Sequence, residues 1–381
     1  MKKLLFVVDN LVMGGVTRVL SNMLNTLSEE RYQIDLLVIH RQADMDVELP
    51  PHVRILEAGP AFSVVDSSIG ALLRSRNIKK ILSKVFLAFK IKTGLIKYTI
   101  LNDRKRILDK TYDVEIAYGD GFPFFYVGYG RGKKKIAWMH YDVMVFDNSA
   151  RYYSKMKKIL AGFDNHVAVS KLVAQSNETH YGLKDIKVIH NIIDDKKICK
   201  QAEEECPLPF KADTVNLISV GRICGQKCFS RFVGAHKLLI ENGFNVNSYI
   251  IGDGEEKALI ENEIEKNGVS DSFFLLGRKN NPFPYVKGAD VFVLSSDYEG
   301  LPTVLYEALI LGVPCVSTAV AGADEILEPG IGIITPKSEE ALFSGIRDML
   351  SDGKYKEYKK NAAEYRFSVE EILGQIEGLL Q

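Results

Sequence analysis

The chain has 381 residues, 46% hydrophobic and 26% charged, with 49 Lys+Arg against 49 Asp+Glu. That length is too great for one ordinary core and fits two globular domains. The longest apolar runs fall short of eighteen residues, which excludes a spanning helix, and five cysteines without paired spacing argue against a disulfide framework and for a reducing compartment. The neutral total hides an asymmetry: residues 1–200 hold 32 Lys+Arg and 21 Asp+Glu, residues 201–381 hold 17 and 28. A basic first half predicts that this half alone faces a polyanion.

Taken in order, Leu4 to Val8 reads as a buried strand. Met1-Lys2-Lys3 before it resembles the start of a signal peptide, but Asp9-Asn10 closes the apolar run too early. Gly14-Gly15 is a turn, Val16 to Leu27 a helix with apolar residues at helical spacing, and Ile34 to Ile39 the next strand. Such a β-turn-α-β unit opens a Rossmann-like sheet, yet Gly-Gly is not the dinucleotide fingerprint, so a dehydrogenase is poorly supported. The two glycines are either a tight turn or a place where backbone amides meet a phosphate or acceptor. Asp44-Met45-Asp46 is formally a D-x-D metal motif, but it lies in a loop without matching context.

Between Arg74 and Lys110 there are twelve Lys+Arg and two acids. Ile78, Ile81, Leu82, Val85, Phe86 and Phe89 fall on one helical stripe, with Lys79, Lys80, Lys84 and Lys90 beside or opposite it. This is the pattern of a helix lying on an anionic membrane surface; a core-packed helix with a solvated basic face is the alternative. No nucleic-acid motif accompanies the basic patch. Val114 to Tyr118 and Ile136 to Met139 are further strands, and His140 follows the second at a carboxyl strand end, where open α/β sheets place ligands. Asp142 stands two residues on.

Ile186 to Ile189 leads into His190-Asn191-Ile192-Ile193-Asp194, and residues 195–215 read as a linker. Asn216 to Val220 begins a second sheet and ends in Gly221-Arg222, with Lys227 five residues on. Arg and Lys at that edge can clamp a diphosphate, one as a fork and one as a point charge. Phe273 to Leu276 is followed by a turn with Arg278 and Lys279. Val291 to Leu294 is a strand, Ser295 to Gly300 a polar turn, and Leu301-Pro302-Thr303 start a helix to about Leu311, stopped by Gly312-Val313-Pro314. Glu299 precedes that helix and Glu307 sits within it. A helix N-terminus at a sheet edge is an anion site, and carboxylates beside it suit hydroxyls attached to that anion.

The run Glu299-Gly300-Leu301-Pro302-Thr303 through Glu307, with Gly312-Val313-Pro314 and Gly322, resembles the E-x7-E region of retaining glycosyltransferases of family 4; Arg222 and Lys227 resemble that family's G-R-x4-K motif. Cys228 replaces the glycine that commonly follows the lysine, Gly225 being the expected source of flexibility, and Ile192 replaces a glycine at the domain junction. The resemblance implies an α/β GT-B fold: two Rossmann-like domains, residues 1–192 with a C-terminal helix from about 365, and residues 193–364, their parallel sheets facing each other across a cleft. It implies sugar transfer with retention from a nucleotide-sugar, by family frequency a UDP-sugar, to a glycan or polyprenyl-linked acceptor, with no cofactor and no metal. The implied donor contacts are Gly14, Gly15, Arg222, Lys227, Arg278, Lys279, Glu299, Gly300, Leu301, Pro302, Thr303, Val304 and Glu307. Implied as catalytic are His140, Glu299, Arg222 and Lys227, with Asp142 toward the acceptor or sugar and Lys79, Lys80, Lys84, Phe86 and Phe89 toward the membrane. A cytoplasmic enzyme peripheral to the plasma membrane, active in surface polysaccharide synthesis, follows by analogy; a catalytically silent subunit or a sugar-nucleotide epimerase of the same fold is the alternative.

Overall fold

The computed structural model describes residues 1–12, 14–40, 48–65, 69–145, 150–206, 210, 213–351 and 353–381. Asp44 and Asp46 lie outside them. The chain divides into two compact units, Met1–Ile192 with Glu370–Gln381, and Ile193–Val369.

In the first unit the strands are β1 (Lys2–Val8), β2 (Tyr32–Val38), β3 (Arg54–Glu57), β4 (Val114–Tyr118), β5 (Lys134–Met139), β6 (Asn165–Ala168) and β7 (Lys187–Val188). They form one parallel sheet in the order β3-β2-β1-β4-β5-β6-β7. Leu4 to Val8 and Ile116 to Tyr118 are buried on both faces, as their unbroken apolar runs require. Sequence periodicity gives no sign of β3, whose residues are largely exposed. Its register sets Arg54 opposite Asp35, and a guanidinium–carboxylate pair of 2.6 Å ties this edge strand down. Helix Val369–Leu380 also belongs to this unit. Lys2 Nζ donates to the carbonyls of Leu380 (3.2 Å) and Gln381 (2.7 Å), and Lys134 Nζ to that of Leu379 (2.6 Å), so cations cover the helix's negative end.

The second unit holds β8 (Val215–Val220), β9 (Val246–Ile251), β10 (Phe273–Leu275), β11 (Val291–Leu294), β12 (Cys315–Thr318) and β13 (Gly332–Thr335), parallel in the order β10-β9-β8-β11-β12-β13. Phe229, Phe232 and Val233 pack with Val291, Val293, Val316 and Ile346 in its core. In each sheet the order reverses once, between β1 and β4 and between β8 and β11. Loops leaving the carboxyl ends of those strands diverge there and leave a crevice, the usual ligand position of such sheets.

One stretch departs from the sequence reading. Residues 195–215 contain a helix, Asp195–Gln201, capped by Asp194, which accepts the Lys197 N–H at 2.9 Å. Charge made the segment look like a linker, but the cap starts a helix. The basic stretch holds two helices: Ile78–Thr93, which carries the stripe read from the sequence, ends at Gly94 (φ +88°), and Ile96–Ile107 follows.

Candidate active site

The carboxyl edge of the second sheet gathers most of the expected donor residues. After β8 the chain turns through Gly221 and Arg222 into a short 3₁₀ turn, Gly225–Lys227. The Lys227 stem crosses Gly221 so closely that a Cβ there would meet its Cε at 3.0 Å. Lys227 Nζ reaches Glu299 Oε1 at 2.7 Å, and the same oxygen accepts the Ser296 hydroxyl at 2.7 Å. Both charged side chains are largely buried, 16% and 11% exposed. This pair spans the crevice between β8 and β11, so Glu299 and Lys227 form one unit although 72 residues separate them.

Other contacts stitch the two loops together. Gln226 O accepts the Asp297 N–H (2.9 Å), Gln226 Nε2 donates to Tyr298 O (3.0 Å), and the Ser295 hydroxyl donates to Lys227 O (2.8 Å). Arg231 donates to Ser295 O (2.5 Å) and Asp297 Oδ1 (2.6 Å), bracing the turn that carries Glu299. Sequence reasoning missed Gln226 and Arg231, and it placed Asp297 in the turn without giving it a role. Arg231 lies one turn into helix Phe229–Glu241 and Asp297 in a distant acidic turn, and only the β8–β11 pairing brings them together.

Helix Thr303–Ile310 starts at Pro302 beside this pair. By helix geometry the Thr303 and Val304 N–H groups lack intrahelical partners. Gly300, Leu301 and Pro302 are buried. Gly322, at φ +74°, packs on them so tightly that a Cβ would lie 2.5 Å from Leu301 Cδ1, which is why glycine stands there. Glu307, one turn into the helix, is 5% exposed. Arg222 is exposed and forms no ion pair among the described residues. Arg278 and Lys279 sit farther along the edge, after β10, with the Lys279 ammonium 5.8 Å from the Tyr285 ring.

Cys228 corrects the expectation placed on Gly225. Gly225 is not among the positive-φ residues, whereas Cys228 takes the left-handed conformation itself (φ 45°, ψ 51°). The turn after Lys227 keeps the geometry that glycine usually supplies, and cysteine bears the steric cost.

In the first unit, helix Gly15–Thr26 follows β1 with Gly14 as its N-cap. Gly14 has extended φ (−174°), an added Cβ would meet only Val12 O at 3.8 Å, and Gly15 has open space around it. Among the described residues neither backbone nor packing demands glycine at these two positions. His140, directly after β5, is 4% exposed; its ring lies 4.6 Å from that of Tyr118, and its Nε2 is buried without a hydrogen bond. Burial pushes its pKa down to about 3, so the imidazole is neutral at physiological pH. The Asp142 carboxylate accepts the Ser176 hydroxyl and the Met144 N–H.

On helix Ile78–Thr93 only Leu87 is buried. Ile78 (70%), Leu82 (63%), Val85 (61%), Phe86 (58%) and Phe89 (50%) are exposed. Lys79 and Lys80 are exposed, and the Lys90 ammonium sits 4.5 Å from the Phe86 ring. Lys84 is turned inward, donating to the carbonyls of Val64 (3.0 Å) and Val65 (2.7 Å). No described helix is long and apolar enough to cross a membrane, and no cluster of three or more His, Cys, Asp or Glu suited to a metal occurs among the described residues.

Comparison with solved structures defines the class of fold: this is GT-B. Anabaena HepE, solved with UDP and glucose, superposes with a TM-score of 0.71 at 17% identity, covering 100% of this chain and 99% of that one. WaaG, a glycosyltransferase involved in lipopolysaccharide biosynthesis, gives 0.66 at 16% identity over 99% of both chains. More particularly, residues 201–365 match the family model described as glycosyl transferases group 1. Among curated proteins, an uncharacterized glycosyltransferase of Methanocaldococcus jannaschii is 33% identical over 41% of this chain and 40% of its own length. The UDP-Gal:alpha-D-GlcNAc-diphosphoundecaprenol alpha-1,3-galactosyltransferase of Escherichia coli is 34% identical over 36% and 37%. These matches span less than half the length of either relative.

Proposed function

We propose that the chain is a retaining glycosyltransferase that moves a hexose or N-acetylhexosamine from a UDP-sugar to a glycan or polyprenyl-linked acceptor in bacterial surface polysaccharide synthesis. The observation that carries this reading is the Lys227–Glu299 pair at the crevice of the second sheet, inside the segment that matches the glycosyltransferase model. The names of the Escherichia coli relative and the HepE complex support UDP, and the former supports a lipid-linked acceptor.

The demanding step is departure of a nucleoside diphosphate from an oxocarbenium-like carbon, with negative charge growing on the leaving oxygen. Fixed donors aimed at that oxygen are the effective catalyst. Within the second unit Lys227 and Arg222 supply cations and the Thr303 and Val304 amides the helix end; in the first unit the open space at Gly14 and Gly15 permits close approach of backbone to a ligand. Glu299 then takes sugar hydroxyls and Glu307 the ribose, while neutral His140 offers a hydrogen bond near the anomeric carbon. The leaving phosphate accepts the acceptor's proton during attack on the same face, so neither metal nor protein nucleophile is required. The exposed apolar stripe with Lys79, Lys80 and Lys90 suits the anionic inner face of a plasma membrane.

A panel of nucleotide-sugars scored for protection against thermal unfolding identifies the donor, since a ligand of the native state must raise its stability. NMR of the transferred anomeric proton then reads the stereochemistry. Protection by a UDP-sugar and a product of unchanged anomeric configuration are expected; an inverted product, or no protection by any nucleotide-sugar, overturns the reading.

A further inference from the structure

The turn Gly119-Asp120-Gly121 closes β4 at the reversal point of the first sheet. Both glycines hold positive φ (+135° and +95°), a backbone that side chains rarely permit, and Asp120 is fixed between them. Asp120 Oδ2 accepts the His140 N–H at 2.8 Å, and the carboxylate also accepts the Tyr141 N–H. Those two peptide groups flank the Cα of His140.

The fully buried carboxylates described in this unit are handled differently. Asp35 is paired with Arg54 and Lys110, Asp103 with Arg106, and Glu115 with Arg104. Asp120 has no cationic partner among the described residues, and burial pushes its carboxyl up to about 7. A partly buried acid without a counter-ion is a poor stabilising device. Its hydrogen bonds go to the backbone on either side of a buried imidazole whose Nε2 is itself unpartnered. Two such unfavourable features joined by one clamp fit a site held ready for a ligand better than a packing role.

We infer that Asp120 is the positioning residue for His140, pinning the peptide groups around it so that the ring nitrogen stays unpaired and fixed for a substrate hydroxyl. This rests on the proposed meeting of His140 with the donor sugar, and the test separates the two claims. In full-length protein, the His140 ring proton signal is assigned by its loss in His140→Gln. In the parent protein it should not titrate above pH 4; in Asp120→Ala the signal should move, because the ring is no longer held in place. With a working donor and acceptor, Asp120→Ala should lower kcat about 10-fold or more with donor KM changed less than about 2-fold. Asp120→Asn, whose amide oxygen still accepts an N–H, should recover most of the rate. In the His140→Gln background, Asp120→Ala should cost less than about 2-fold, because the residue acts through the ring. An unmoved His140 signal, or losses that multiply in the double variant, overturns the inference. If the parent transfers no sugar, the functional reading fails while the ring signal still decides the positioning. Trp138, the single tryptophan and buried in this unit, reports whether each variant folds, and Asp120→Asn carries the test if Asp120→Ala does not.

Discussion

Removing one end of the Lys227–Glu299 pair tests the site most directly. Lys227→Met deletes the cation but keeps the aliphatic stem that crosses Gly221. Glu299 would then hold a largely buried charge with only the Ser296 hydroxyl at 2.7 Å and Gln226 Nε2 at 3.4 Å to support it. Breaking a fully buried ion pair costs roughly 3–5 kcal/mol. With the carboxylate 11% exposed and one good hydrogen bond retained, a loss of about 2 kcal/mol is expected. Glu299→Leu should cost a similar amount, and the double variant should recover to within about 1 kcal/mol of the parent, because no orphaned charge remains. Urea unfolding followed by circular dichroism reads both units together, whereas Trp138 fluorescence reads the first alone and should stay unchanged, so a loss seen only by circular dichroism belongs to the second. Protection by nucleoside diphosphate should vanish in Lys227→Met. Single losses that simply add in the double variant would show that the two groups are not coupled, and unaltered transfer by Lys227→Met would rule out the diphosphate clamp.

Cys228→Gly should stabilise the protein by about 0.5–1 kcal/mol, the left-handed penalty of about 1–2 kcal/mol less the extra freedom of glycine in the unfolded chain; a lower denaturation midpoint would refute this. Arg231→Gln removes the brace on the Glu299 turn and should raise donor KM several-fold, with Arg231→Lys giving little rescue because one ammonium does not reproduce the fork; a full Lys rescue counts against the brace. His236, fully buried between the Ser248 and Ser272 hydroxyls, has its pKa pushed down by burial to about 4. The unfolded imidazole takes up a proton below about 6.5 and the folded one does not, so stability present above pH 6.5 is lost toward pH 4, by about 2 kcal/mol at pH 5. His236→Gln should lose less between pH 7.5 and 5 in the same unfolding assay, and an equal loss refutes the assignment. Lys79→Glu with Lys80→Glu should release the protein from anionic vesicles, at about 1 kcal/mol per lysine removed, while Lys84→Gln should act on stability instead because that ammonium holds two carbonyls. Unchanged vesicle binding by the first pair removes the membrane reading.

Local chemistry alone determined much of this protein. Short β-branched apolar runs such as Leu4 to Val8 and Val291 to Leu294 read as strands covered on both faces, and glycine and proline punctuation placed the helix after Glu299. Those signals act over a few residues, so a sequence carries them openly. Strand β3 and the capped helix within the apparent linker were hidden because charged residues masked their packing. The tertiary structure alone decided that Lys227 reaches Glu299 across 72 residues, that Arg231 braces Asp297, and that Lys84 turns inward while Phe86 and Phe89 remain outside. Each depends on which strands lie side by side and which helix face meets the sheet, and no residue's immediate neighbours in the chain encode that.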